Sequence, residues 1–204
     1  LAKANTNGWC FLFEARGGGG TPTITPMHQY LAANRIKSIA GLINGTTNFM
    51  LTRMEKAGLD FDAALAEAQA LGYAETIDPS FDLDGIDAGR KIVILASLAF
   101  GTHIYPQNIV TRGIRGITPG DMQAAKAQDC AIKLIAYARK EDDGPLMVGV
   151  EPMMVSRKNQ LAGVEDVFNA ALIETDMLGE VVFYGKGAGK LPTASAVVAD
   201  AIAA

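Results

Sequence analysis

Gly72-Tyr73-Ala74-Glu75-Thr76-Ile77-Asp78-Pro79-Ser80-Phe81-Asp82-Leu83-Asp84-Gly85-Ile86-Asp87-Ala88-Gly89-Arg90-Lys91 runs directly into Ile92-Val93-Ile94-Leu95-Ala96-Ser97-Leu98-Ala99-Phe100. The first part loads a polar loop with carboxylates and sets Asp87 and Lys91 four residues apart, on one face of a helix. The second part is so apolar that the helix carrying both must be largely buried. A lysine drawn into such a setting beside carboxylates is suited to acid/base or ligand-binding work. The bland alternative is a helix-supporting ion pair on a solvated face. Asp78, Asp82 and Asp84 read as helix caps, since acids enrich the first turn whether or not they bind anything.

Upstream, Trp9 to Phe13 reads as a short apolar strand. It ends at Glu14 and the glycine-rich stretch Gly17 to Gly20, which reads as a turn with several positive-φ positions. Thr25-Pro26 is expected to open a helix to Asn34, and Arg35 to Asn44 a strand. Thr46 to Lys56 has helical spacing stopped by Gly58, and Asp60 caps a further helix ending before Gly72. A single helix is expected over Asp84 to Phe100.

Downstream the pattern turns to strands. Val110 to Ile117 alternates, Thr118-Pro119 starts a short helix through Gln128, and Ala131 to Arg139 with Leu146 to Val155 forms an antiparallel hairpin about an Asp142-Asp143-Gly144 turn. Strands near Ala170 to Thr175 and Glu180 to Tyr184 flank Met177-Leu178-Gly179. A helix follows from Pro192. Grouped strands with interspersed helices indicate an α+β class, a mixed and largely antiparallel sheet covered on one face by helices.

The 204 residues allow one sizeable domain, and the 49% hydrophobic and 20% charged fractions are those of a soluble globular protein. A net charge of −4 leaves no basic footprint for nucleic acid. No apolar run approaches the ~18 residues of a membrane span. Cys10 and Cys130 lack metal or redox spacing and read as buried free thiols of a reducing, cytoplasmic compartment.

Three blocks in order carry a resemblance: Gly41-Leu42-Ile43-Asn44-Gly45-Thr46-Thr47-Asn48-Phe49, Ala68-Gln69-Ala70-Leu71-Gly72-Tyr73-Ala74-Glu75, and Asp82-Leu83-Asp84-Gly85-Ile86-Asp87-Ala88-Gly89-Arg90-Lys91. Together they resemble the substrate domain of homoserine dehydrogenase, from about Phe11 to the last residue. The resemblance implies an NAD- or NADP-dependent oxidoreductase interconverting L-homoserine and L-aspartate 4-semialdehyde, on the route to threonine, methionine and isoleucine. It implies Lys91 as proton donor and Glu75 and Asp87 as homoserine ligands. It places Gly189, Gly187, Gly45 and Thr46 near the cofactor, and a sodium ion at Glu14, Gly17, Gly19 and Thr21. Sheets of that family pair in a homodimer. His28 and His103 match no position of this kind.

By the same resemblance, residues 1–22 are an edge of the nucleotide-binding domain with the cation loop. Residues 23–184 are the substrate and dimerisation domain, and 185–204 return to the nucleotide-binding half. Family members carry a Gly-x-Gly-x-x-Gly turn in that half. This chain starts after it, so the sequence is expected to be a fragment that is inactive alone. Two departures stand out: Thr76-Ile77-Asp78-Pro79 is one residue longer than the family's Glu-x-Asp-Pro pattern, and Gly17 stands where a small apolar residue is usual, beside Arg16. Other readings are a catalytically silent amino-acid-binding and dimerisation module, and a nucleotide-linked oxidoreductase of another small aldehyde.

Overall fold

The computed structural model describes residues 4, 6–141 and 144–204. In chain order the main elements are α1 (Ala15–Gly18), α2 (Ile24–Gln29), β1 (Ile36–Leu42), α3 (Gly45–Ala57), α4 (Phe61–Ala70), α5 (Ser80–Leu83), α6 (Ile86–Phe100), β2 (Val110–Thr111), α7 (Pro119–Ala127), β3 (Cys130–Lys140), β4 (Leu146–Ser156), β5 (Phe168–Thr175), β6 (Glu180–Lys186) and α8 (Lys190–Ala203). The strands form one sheet in the order β2-β4-β3-β1-β5-β6, antiparallel except for the β2–β4 pair. The expected α+β arrangement is therefore the one observed. β1 lies at its centre, between β3 and β5, so whatever follows its C-terminal end is held by the most constrained strand.

Local signals set most boundaries. Asn44 caps α3 by accepting from the Thr47 N–H, and Gly58, with φ 68°, ends that helix in a left-handed turn. The Asp60 side chain accepts from the Ala63 N–H to start α4. Thr118 and Asp121 make a reciprocal capping box at α7.

The helices cover one sheet face, where Ile39, Leu134, Ala136 and Val150 meet Met50 and Met54 of α3 and Ile92 and Leu95 of α6. The other face carries Leu42, Ile135, Ala170 and Leu172, and the short 3-10 turn Gln160–Gly163 brings Leu161 against them. Phe168 and Tyr184 stack on that second face with their ring centres 5.1 Å apart.

Several expectations are corrected. Trp9 to Phe13 is not a strand: no partner strand pairs with it among the described residues, and Trp9 and Phe11 are exposed. β-propensity without a pairing edge makes no strand. Cys10 is exposed and Cys130 half-buried, both free, so neither is a core thiol. Gly17 and Gly18 close the short helix α1, and of that stretch only Gly19 has positive φ, at 63°. α2 begins at Ile24, behind Thr23, and ends at Gln29 rather than Asn34. The helix expected over Asp84 to Phe100 is present and unbroken but starts at Ile86, because Gly85, with φ 79°, separates α5 from α6.

The alternation from Val110 to Ile117 gives only the two-residue β2. Gly113 turns in against α5, where the Ile114 N–H donates to the Leu83 carbonyl at 2.9 Å, and this contact ends the strand. Asp142 and Asp143, the expected hairpin turn, lie outside the described residues; the β3–β4 hairpin itself is in place, with Lys140 opposite Leu146.

Candidate active site

Ile43 and Asn44 link the end of β1 to the start of α3, and α6 brings Asp87 and Lys91 to the same place. Lys91 Nζ donates to Asp87 Oδ2 at 2.7 Å and to the Ile43 carbonyl at 2.9 Å. An ammonium has three N–H donors. Two are committed here, and one remains for another acceptor. Each side chain of the pair is about a fifth exposed, so this is a partly desolvated pair with a third partner and not a solvated helix brace.

Asn44 completes the cluster. Its Oδ1 accepts from the Thr47 N–H and hydroxyl, both at 2.9 Å, which fixes the amide with its NH2 turned outward from the helix start. That NH2 donates to Asp82 Oδ1 at 2.7 Å and to Asp87 Oδ2 at 2.9 Å. The Thr46 hydroxyl lies within reach of the Tyr73 carbonyl at 2.6 Å and of Asp82 Oδ2 at 3.0 Å. With one proton to give, it ties the acidic loop to α3 through either acceptor.

Asp82 is thus part of the cluster, where the sequence suggested a helix cap. Asp78 does act as a local cap: the Ser80 hydroxyl, and then its N–H, hold the Asp78 carboxyl below its ordinary value. Asp84 pairs with Arg115 at 2.6 Å. Asn44 was missed as a site residue because the sequence places it at the end of a strand, whereas it caps α3; the signal that could have found it is an NH2 donor at the end of a central strand.

Glu75 is exposed in the turn after α4, and its side chain makes no hydrogen bond or ion pair among the described residues. Its backbone carbonyl accepts from Gln69 Nε2 at 2.9 Å. The structure therefore joins Asp87 to Lys91 and leaves the Glu75 carboxylate free at the loop.

Around Glu14, the geometry differs from a simple ligand loop. Glu14 Oε1 accepts from the N–H groups of Thr23 (2.6 Å) and Ile24 (2.9 Å), and Oε2 from that of Thr25 (2.6 Å). The carboxylate thus serves the orphan donors at the start of α2. Thr21 Oγ1 is buried with no hydrogen-bond partner. A Cβ added at Gly19 would stand 1.9 Å from the Gly187 carbonyl oxygen, so the two glycine-rich stretches touch.

The Glu14 N–H also donates to Asp200 Oδ2 of α8 at 2.9 Å, which brings both ends of the chain together. Gly187 is pressed on the Asn169 amide, and Gly189, with φ 122°, precedes α8. Gly45 sits over the Val167 carbonyl. Among the described residues no group of three or more His, Cys, Asp or Glu could hold a metal ion. His103 stacks edge-on with Tyr105, away from any acid/base partner shown. A cleft lined by Met27, Leu31, Leu98 and Phe100 contains none of Asn44, Asp82, Asp87 or Lys91.

Lys133 is a second buried lysine. Fully enclosed on β3, it donates to Asn48 Oδ1 at 3.2 Å and to the Val164 carbonyl. Burial pushes it down to about 8, partly offset by Glu165.

Comparisons with known proteins point to one family. A family model described as homoserine dehydrogenase matches residues 22–202. The homoserine dehydrogenase of a Synechocystis strain is 48% identical over 202 residues, covering 98% of this chain and 46% of the relative. That of Pseudomonas aeruginosa is 44% identical, covering 99% and 46%. Among solved structures, a homoserine dehydrogenase from Thiobacillus denitrificans superposes with a TM-score of 0.95 at 43% identity, over 98% of this chain and 46% of that one. A hyperthermophilic archaeal homoserine dehydrogenase in complex with NADPH gives 0.78 at 37% identity, over 94% and 54%. The chain thus spans about half the length of the curated relatives it matches. From the family match over nearly its whole length, the chain belongs to the homoserine dehydrogenase family.

Proposed function

We propose that residues 23–184 are the substrate-binding and dimerisation domain of an NAD(P)-dependent homoserine dehydrogenase, with residues 1–22 and 185–204 as edges of its nucleotide-binding half. The observation that carries this reading is the Lys91 ammonium, fixed by Asp87 and the Ile43 carbonyl with one N–H left to give. Asp87 Oδ1 and the exposed Glu75 carboxylate are the groups suited to the substrate ammonium, and charge-assisted hydrogen bonds there would orient the amino acid. In the reducing direction Lys91 delivers its proton to the oxygen of the semialdehyde as the carbonyl becomes an alcohol; in the oxidising direction its neutral amine takes that proton back. A bound nicotinamide supplies or accepts the hydride. Gly187, Gly189 and Gly45 would line the cofactor, with Thr46, which ties the acidic loop to α3, beside them.

A monovalent cation is part of the same proposal. The unpartnered, buried Thr21 hydroxyl fits an oxygen-ligated ion, together with the backbone carbonyls of Gly17 and Gly19. Glu14 contributes there mainly by holding α2 in place. The half-buried Met153, Val155 and Val182 of the second sheet face, with the exposed Tyr184 beside them, support pairing with a second subunit. The exposed Leu191 and Ile202 of α8 and Trp9 and Phe11 near the other end support a nucleotide-binding half that covers them.

The test is a rate comparison in the full-length enzyme carrying this chain. L-homoserine should be oxidised with NAD+ or NADP+, and 4-hydroxybutyrate, which lacks the ammonium, should fall by about 100-fold or more in kcat/KM. Equal rates on the two alcohols would remove Glu75 and Asp87 from substrate recognition.

A further inference from the structure

Asn44 belongs to a different class from the residues that touch the substrate. Asp87 has two carboxylate oxygens with unlike duties: Oδ2 takes both the Lys91 ammonium (2.7 Å) and the Asn44 NH2 (2.9 Å), while Oδ1 accepts nothing among the described residues. Without the Asn44 donor, the carboxylate could rotate and offer either oxygen, or both, to Lys91. With it, Oδ2 takes two donors from different elements, and Oδ1 is the oxygen left without a donor among the described residues.

The Asn44 amide has no freedom to reverse this. Its oxygen is held by two donors of Thr47, and its second N–H is held by Asp82. From this geometry, and resting on the reading of Asp87 and Lys91 given above, we infer that Asn44 is a positioning residue that selects which oxygen of Asp87 receives the substrate ammonium. Asp82 is the anchor that keeps the Asn44 amide in that orientation. The device crosses three elements: the β1–α3 junction supplies Asn44, α5 supplies Asp82 and α6 supplies Asp87.

Two variants of the full-length enzyme separate this role from simple support of the fold. Asn44→Ser keeps an N-cap oxygen for Thr47, because serine caps about as well as asparagine, but removes both N–H donors. It should raise the KM for L-homoserine on the order of 10- to 100-fold, the range for losing a hydrogen bond to a charged group, with a smaller fall in kcat because Asp87 still holds Lys91. The calorimetric Kd for L-homoserine should rise in parallel.

The exchange Asn44→Asp with Asp82→Asn restores the bond between positions 44 and 82 with donor and acceptor reversed, and offers Asp87 no N–H. Its melting temperature should return toward that of the parent while the KM stays raised about tenfold or more. A folded Asn44→Ser enzyme with parental KM and Kd, or an exchange variant with parental KM, would overturn the positioning role alone. A parent enzyme that neither oxidises nor binds L-homoserine would instead overturn the reading of the whole site, and this inference with it.

Discussion

Lys91 Nζ stands 2.9 Å from the carbonyl oxygen of Ile43. That contact joins the middle of helix α6 to the end of β1, the central strand of the sheet, and it fixes the ammonium against a backbone atom that no side-chain substitution can remove. The remaining orientation comes from Asp87, one helical turn earlier. Placement by two rigid elements is what a proton donor needs, since small displacements of a reacting group are costly.

Glu75 and Asp87 should separate in kinetics. The Glu75 side chain has no partner among the described residues, so Glu75→Ala should raise the KM for homoserine with little change in kcat. Asp87 also anchors Lys91. Asp87→Ala should therefore raise KM and lower kcat together. Steady-state rates over a homoserine titration decide the matter; equal kcat effects at both positions would contradict the division of roles.

Much of this site was legible in the sequence, and for a physical reason. Asp87 and Lys91 are spaced for one helix face, and the apolar run after them announced a buried helix. Helices capped by Asp60 and Thr118 and the β3–β4 hairpin were legible for similar local causes. Asp82 and Asn44 were not, because the one reads as a helix cap and the other as a strand end, and their meeting depends on how α5 docks against the β1–α3 junction. Val110 to Ile117 misled for the converse reason: its alternation is that of a strand, but Gly113 and Ile114 are taken up by α5. Trp9 to Phe13 has strand composition and, among the described residues, no strand to pair with.

Gly113 gives a test of that docking. A Cβ there would lie 2.0 Å from the Leu83 carbonyl oxygen and 2.4 Å from Asp84 Cα, both backbone atoms. Gly113→Ala must push α5 away, and should cost about 1–3 kcal/mol of stability as an overpacked contact. Because Asp82 moves with α5, the KM for homoserine should rise as well. Gly116→Ala, with nothing within 4 Å of the added carbon, should stay within about 0.5 kcal/mol of the parent in a urea titration. Similar midpoints for the two variants would contradict this packing.

Lys133 should make stability depend on pH in an unusual direction. Burial lowers it from 10.5 to about 8 in the folded protein. Between those values the unfolded chain binds the proton and the folded one does not, so stability rises with pH across that window. Below about pH 8 both forms are protonated and the cost of the buried ammonium is carried in full. At 1.36 kcal/mol per unit, the gain approaches roughly 3 kcal/mol by pH 10.5. Lys133→Met should flatten the curve over that range, whatever its offset from the lost bonds to Asn48 and Val164. Denaturant midpoints from pH 7 to 10.5 for both proteins measure it, and parallel curves would show that Lys133 does not titrate in that window.

The central claim is that Lys91 moves the proton at the alcohol oxygen, and the turnover of Lys91→Ala in the full-length enzyme tests it most directly. Loss of a general acid typically lowers kcat by about 10²–10⁴-fold. That fall, with the KM for homoserine changed far less and the fold intact by circular dichroism, is the result this structure predicts. A folded Lys91→Ala enzyme that retains more than about a tenth of parental kcat would contradict it.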